Sequence, residues 1–243
     1  MLEHKKIQNL SDYFVELNSR REKGVYFYRI NGYSEEVGEF IKKYYDTARR
    51  TGVVIEGKIP NPDEGNLAYY NEIMGMDFQM SMDFIHVSLR KWLPRMNEFQ
   101  RQNVAASIYD SLDSLRKAGK TENMLRNAYI KFMCWLYYKF ERIVNQLGEN
   151  HIPKILYEGQ ISNYELMLIS ILSNAGCDVV LLQYAGDQGY LKTDPGSVLS
   201  DSLQMEGLQP FPQGYCVKKV RDEIQNELNN ERLYGCLLYT SPS

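Results

Sequence analysis

Four residues have the types and spacing to hold a small-molecule ligand. The string Glu158-Gly159-Gln160-Ile161-Ser162 leads from an apolar run into a helix start. In open α/β sheets this edge takes ligands, and the first amides of the helix favour anions. Gly159 allows close backbone approach, and Ser162 can donate to a phosphate. Asp178 opens the next apolar run, and Asp187 lies in the loop after it, flanked by Gly186 and Gly189. A carboxylate after a parallel strand is well placed to meet a ligand. The same residues also fit plainer roles: Gly159 as a turn, Ser162 as a cap, and Asp187 as an ordinary turn aspartate.

Other chemistry has little support. There is no Gly-x-Gly-x-x-Gly and no Walker lysine. His4, His86 and His151 are isolated and no Cys-x-x-Cys exists, so no metal site is expected. No Gly-x-Ser-x-Gly elbow is present, and Cys177 reads as a small core residue. Lys23-Gly24-Val25-Tyr26-Phe27-Tyr28 has the wrong glycine and aromatic order for an RNA-binding strand. No catalytic residue or cofactor is singled out.

These positions need elements to hold them. An amphipathic helix is expected over residues 8–22, with Leu10, Tyr13, Phe14 and Leu17 on one face. Val25-Tyr26-Phe27-Tyr28-Arg29-Ile30 is a β-branched and aromatic run, hence a strand. Asn31-Gly32 turns the chain, Ser34 caps a helix to about Arg50, and Val53-Val54-Ile55 begins a second strand before Pro60 and Pro62. Residues 66–150 read as helical. Val104, Ile108, Leu112 and Leu115 form one stripe, and Leu125, Tyr129, Phe132, Leu136, Phe140, Ile143 and Leu147 form the next. Ile155-Leu156-Tyr157 is then a strand, and Ser162-Asn163-Tyr164-Glu165 is a capping box. Cys177-Asp178-Val179-Val180-Leu181-Leu182 is apolar enough to be covered on both faces. After Tyr184 the chain is loop-like, with a polar helix over residues 217–233. The fold class is therefore α/β: two strand–helix–strand units, the later one Rossmann-like and truncated, separated by a helical block. The expected division is residues 1–150, then 151–235.

The last eight residues, Cys236-Leu237-Leu238-Tyr239-Thr240-Ser241-Pro242-Ser243, resemble the translated sequencing adapter left by transposon-based library preparation. On that expectation residues 236–243 are not native, and the gene continues beyond about Gly235. The 243 residues, with 44% hydrophobic and 24% charged side chains, can build a packed core. A net charge of −3 argues against a broadly basic nucleic-acid or membrane binder, and no apolar run approaches the roughly 18 residues of a span. No signal peptide is visible, so a cytoplasmic protein is expected. The thiols Cys134, Cys177 and Cys216 are widely spaced, which fits reduced cysteines.

Tyr28-Arg29-Ile30-Asn31-Gly32-Tyr33, Ile59-Pro60-Asn61-Pro62, and Pro153-Lys154-Ile155-Leu156-Tyr157-Glu158-Gly159 with Cys177-Asp178-Val179-Val180 together resemble the bacterial YceG-like family. The resemblance covers about residues 24–215, and the family's members are considerably longer than this chain. It implies a component of a "biosynthetic module" encoded in tellurite-resistance and general stress gene clusters, and it supplies no catalytic residues. The expected ligand is nucleotide-like, a nucleotide or nucleotide-sugar, near Gly159, Ser162, Asp187 and Asp178. The alternative is a non-catalytic scaffold that docks other proteins of the cluster through its tyrosines, which number nineteen.

Overall fold

The computed structural model describes residues 1–60, 67–148 and 152–239. Its centre is a parallel sheet of five strands. These are β1 (Phe27–Ile30), β2 (Val53–Glu56), β3 (Lys154–Glu158), β4 (Asp178–Leu182) and the two-residue β5 (Asp201–Ser202). Their spatial order is β2-β3-β4-β1-β5. The two strand–helix–strand units are interleaved: β1 pairs with β4 from Phe27↔Val179 to Ile30↔Leu182, and β2 lies at the far edge against β3.

Adjacent strand residues point to opposite faces, so each strand feeds two cores. Tyr28, Ile30, Leu156, Val180 and Leu182 face one layer, built on helix α1 (Glu35–Thr51). Phe27, Ile155, Tyr157, Val179 and Leu181 face the other, built on α7 (Asn163–Ala175). The intervening helices are α2 (Leu67–Met74), α3 (Met82–Trp92), α4 (Glu98–Lys117), α5 (Glu122–Tyr138) and α6 (Glu141–Val144). Helix α4 lies along α7, so the block thickens that side of the sheet. The stripe from Leu125 to Leu147 is buried, as are Val104, Ile108 and Leu112.

Local signals set most boundaries. Ser34 Oγ accepts from the Val37 amide at 3.2 Å, and Glu35 and Glu36 sit in the first turn of α1, where the helix dipole favours them. The one-turn α8 (Gln188–Leu191) precedes β5, and α9 (Val217–Tyr239) ends the described chain. Residues 240–243 of the expected adapter tail, and Pro62 of the expected strand end, lie outside the described residues.

The N-terminal segment differs from the expected helix over residues 8–22. It forms two short 3-10 turns, Leu10–Phe14 and Leu17–Ser19. Asn9 and Asp12 close a capping box on the first turn, and Val15 is already extended. The constraint is tertiary. Tyr13 is buried, contacts the rings of Tyr26, Phe40 and Tyr44, and donates its hydroxyl to Val179 O at 3.0 Å. Seven residues on, Arg20 turns inward. Its guanidinium grips the fully buried Asp178 carboxylate, with Nη1 2.9 Å from Oδ1, and also donates to Gly24 O. Asp178 further accepts from the Tyr26 amide at 2.9 Å and from Lys154 Nζ.

This cluster holds two cations against one carboxylate, all buried. Burial, with help from the Arg20 charge, pulls the Lys154 ammonium below the usual lysine range, while Asp178 pulls it back up. Removing the shared carboxylate leaves uncompensated buried charge, which costs about 3–5 kcal/mol. Asp178→Ala is therefore expected to lower unfolding stability by that amount in urea titration. Lys154→Met, which leaves one matched pair, is expected to cost clearly less.

Candidate functional site

The strand order identifies the edge at which open α/β sheets take ligands. The chain leaving β1 passes to α1 on one face. The chain leaving β3 passes to α7 on the other, and the chain leaving β4 reaches Tyr190 in that same second core. Departing connections therefore diverge between β4 and β1, and the crevice beyond the carboxyl ends of these strands is the switch point.

Three of the four expected residues lie at this carboxyl edge, and the fourth does not. Gly159 follows β3 directly and has φ of +103°. A Cβ there would stand 3.2 Å from Gly57 Cα, in the turn after β2, so glycine serves both conformation and space. Its carbonyl accepts from Gln183 Nε2 at 3.2 Å, which links the ends of β3 and β4. Ser162 caps α7, but its hydroxyl donates to Glu165 Oε2. The same oxygen accepts from the Ser162 amide at 3.0 Å, and Glu165 Oε1 accepts from the Ile59 amide at 2.6 Å. A carboxylate thus already stands at the start of α7, so the Ser162 proton is committed inside the protein.

Asp187 lies on the loop after β4 and pairs with Arg29 of β1. Arg29 Nε lies 3.2 Å from both carboxylate oxygens, and Nη2 lies 3.0 Å from Oδ2. Arg29 is 2% exposed, whereas the Asp187 side chain keeps 17% of its surface open. The arginine is held from its other side by Ser200, through O at 2.6 Å and Oγ at 2.8 Å, and lies over the Tyr190 ring at 4.2 Å. Tyr190 donates to Asp194 at 2.8 Å, and Asp194 accepts from the amides of Val198 and Leu199. This chain of contacts makes the long β4–β5 connection a fixed wall. Asp178, by contrast, opens β4 at the amino end of the sheet, and its carboxylate is consumed by Arg20, Lys154 and Tyr26.

Sequence reasoning did not single out Arg29, Gln183, Tyr184 or Glu158. Arg29 carried a signal: an arginine inside an otherwise apolar strand must find a carboxylate once the sheet is covered on both sides. Glu158 Oε2 accepts from the Tyr184 hydroxyl at 2.6 Å and from the Val217 amide at 2.8 Å, so it anchors both Tyr184 and the start of α9. Cys134, Cys177 and Cys216 are free, and burial pushes the Cys134 thiol up to about 11 and Cys177 further, away from nucleophilic use.

Comparison with known proteins adds the family. A model described as the YceG domain matches residues 5–227. The chain belongs to the YceG family. The matched span takes in every strand of the sheet, the helical block and the first half of α9. No curated protein and no solved structure matches the chain. Within this YceG domain the functional reading therefore rests on the geometry of the carboxyl edge.

That geometry has a direct check at Gly159. An L-residue in left-handed backbone costs about 1–2 kcal/mol, and the close Gly57 backbone adds to it. Gly159→Ala is expected to shift the urea midpoint down by at least that equivalent, with the slope unchanged.

Proposed function

We propose that this YceG domain is the ligand-binding component of a bacterial stress-linked biosynthetic module, and that it holds a nucleotide-like molecule at the β4/β1 crevice. One observation carries the reading. At the point where the connections diverge, a carboxylate is held by a buried arginine and left partly open to solvent, beside a glycine-led turn into a helix. Asp187 would accept from ligand hydroxyls, as carboxylates at such edges accept from ribose. The phosphate end would lie at the Gly159 turn, ahead of the helix start that Glu165 already occupies. The Ser162 hydroxyl, committed to Glu165, would not donate to that phosphate.

The tellurite-resistance setting and the cytoplasmic location belong to this proposal. No described helix is long and apolar enough to cross a membrane. The rival scaffold role drew on tyrosine abundance. Nine of the nineteen tyrosines (13, 26, 28, 44, 45, 69, 129, 157 and 190) are buried in the core and not offered to a partner. The ligand-binding reading is therefore the better supported of the two.

Thermal unfolding of the full chain with nucleoside diphosphate sugars tests it. A ligand at a hundred times its Kd adds about 2.7 kcal/mol. In a domain of this size that raises Tm by roughly 5–10 °C. The shift is expected to shrink sharply in Asp187→Asn. Absence of any shift across nucleotides and their sugars contradicts the proposal.

A further inference from the structure

Residues 203–216, between β5 and α9, cross the carboxyl edge of the sheet. They are tied down where β1 ends: the Tyr33 amide donates to Gln209 O at 2.6 Å, and the Gln209 amide donates to Tyr33 O at 2.8 Å. Gly207 and Gly214 bracket the central stretch, both in left-handed backbone, with φ of 76° and 70°. Between them Phe211 stands between Pro210 and Pro212.

The Phe211 ring meets three tyrosines. Its centroid is 4.9 Å from Tyr184, 5.2 Å from Tyr215 and 5.7 Å from Tyr33. Tyr33 lies just beyond β1 and Tyr184 just beyond β4, so Phe211 stands over the crevice between these strands. All four rings are half-buried. Tyr184 is fixed by its hydroxyl bond to Glu158, so the box has a rigid wall. Ring separations of this size are those of favourable aromatic packing, which accepts any flat π-system. One of the chain's own rings thus fills an aromatic box where an open parallel sheet takes its ligand.

We propose that Phe211 is the built-in occupant of a subsite for a flat heteroaromatic ring, and that residues 203–216 are a strap which lifts Phe211 out to admit a nucleobase. This rests on the carboxyl-edge reading above and specifies its ligand: the base stacks against Tyr184 and Tyr33, on the α1 side of the crevice. The sugar and phosphate lie toward Asp187 and Gly159. The closed strap lowers affinity, because each binding event must first expel Phe211.

The test compares AMP and UMP with ribose 5-phosphate, which has no base, by calorimetric titration of the full chain. Phe211→Ala empties the box and is expected to bind AMP or UMP at least tenfold more tightly than the unmodified chain, within the range of one base-stacking contact. Ribose 5-phosphate is expected to be unaffected. If Phe211→Ala fails to fold, Phe211→Leu keeps apolar volume without a ring, and the same comparison is made with it. Unchanged AMP and UMP affinity in the folded variants, or an equal gain for ribose 5-phosphate, overturns the strap. If the unmodified chain still binds nucleotide-sugars in an Asp187-dependent way, only the strap fails. If nothing binds any variant, the edge reading fails with it.

Discussion

Two arginine–aspartate pairs hold the two ends of the central strand pair. Arg20 grips Asp178 at the amino end of the β1/β4 pairing, and Arg29 grips Asp187 beyond its carboxyl end. The two arginines are nine residues apart, and so are the two aspartates. They therefore clamp the same pair of parallel strands at both ends. The strands they join are separated by most of the chain, and closing a loop of about 150 residues costs roughly 4 kcal/mol before any contact repays it. A one-residue slip would turn Arg29 toward the α1 core and strand both charges, so the pairs also specify register.

The two ends of this clamp have different consequences. At the amino end the carboxylate is sealed by two cations and a backbone amide, and nothing is left for a ligand. At the carboxyl end the arginine is buried but the aspartate is partly open. The same ion-pair chemistry is thus structural at one edge and available at the other. The wall built by Tyr190, Ser200 and Asp194 keeps the second pair in place, and the aromatic strap covers the opposite side of the crevice.

Much of this was legible locally. Ser34, Ser162 with Glu165, and the two apolar stripes of the helical block mark elements whose determinants lie within a few residues. The interleaving of the strands was not legible, because the partner of β1 lies some 150 residues away and periodicity carries no information about it. The N-terminal segment misled for a related reason. Leu10, Tyr13 and Leu17 have helical spacing, but the segment is set by distant partners, Val179 for Tyr13 and Asp178 for Arg20, which local spacing does not show. β5 has two residues and no pattern to read. Of the site, Gly159 and Asp187 were visible as a turn glycine and a loop carboxylate. Asp178 looked equivalent to Asp187 because sequence does not show which end of a strand faces the crevice. Arg29 and the tyrosine box became meaningful only once β1 stood beside β4.

We propose that a nucleotide-like ligand enters at the β4/β1 carboxyl edge. Isotope-labelled protein titrated with a nucleoside diphosphate sugar, and followed by amide chemical shifts, tests it most directly. Perturbations concentrated at residues 31–33, 159–162 and 183–187 are the expected result. Perturbations centred instead on the cavity of about 500 Å³ lined by Lys6, Tyr28, Glu36 and Asp201, with the carboxyl edge silent, would contradict the account.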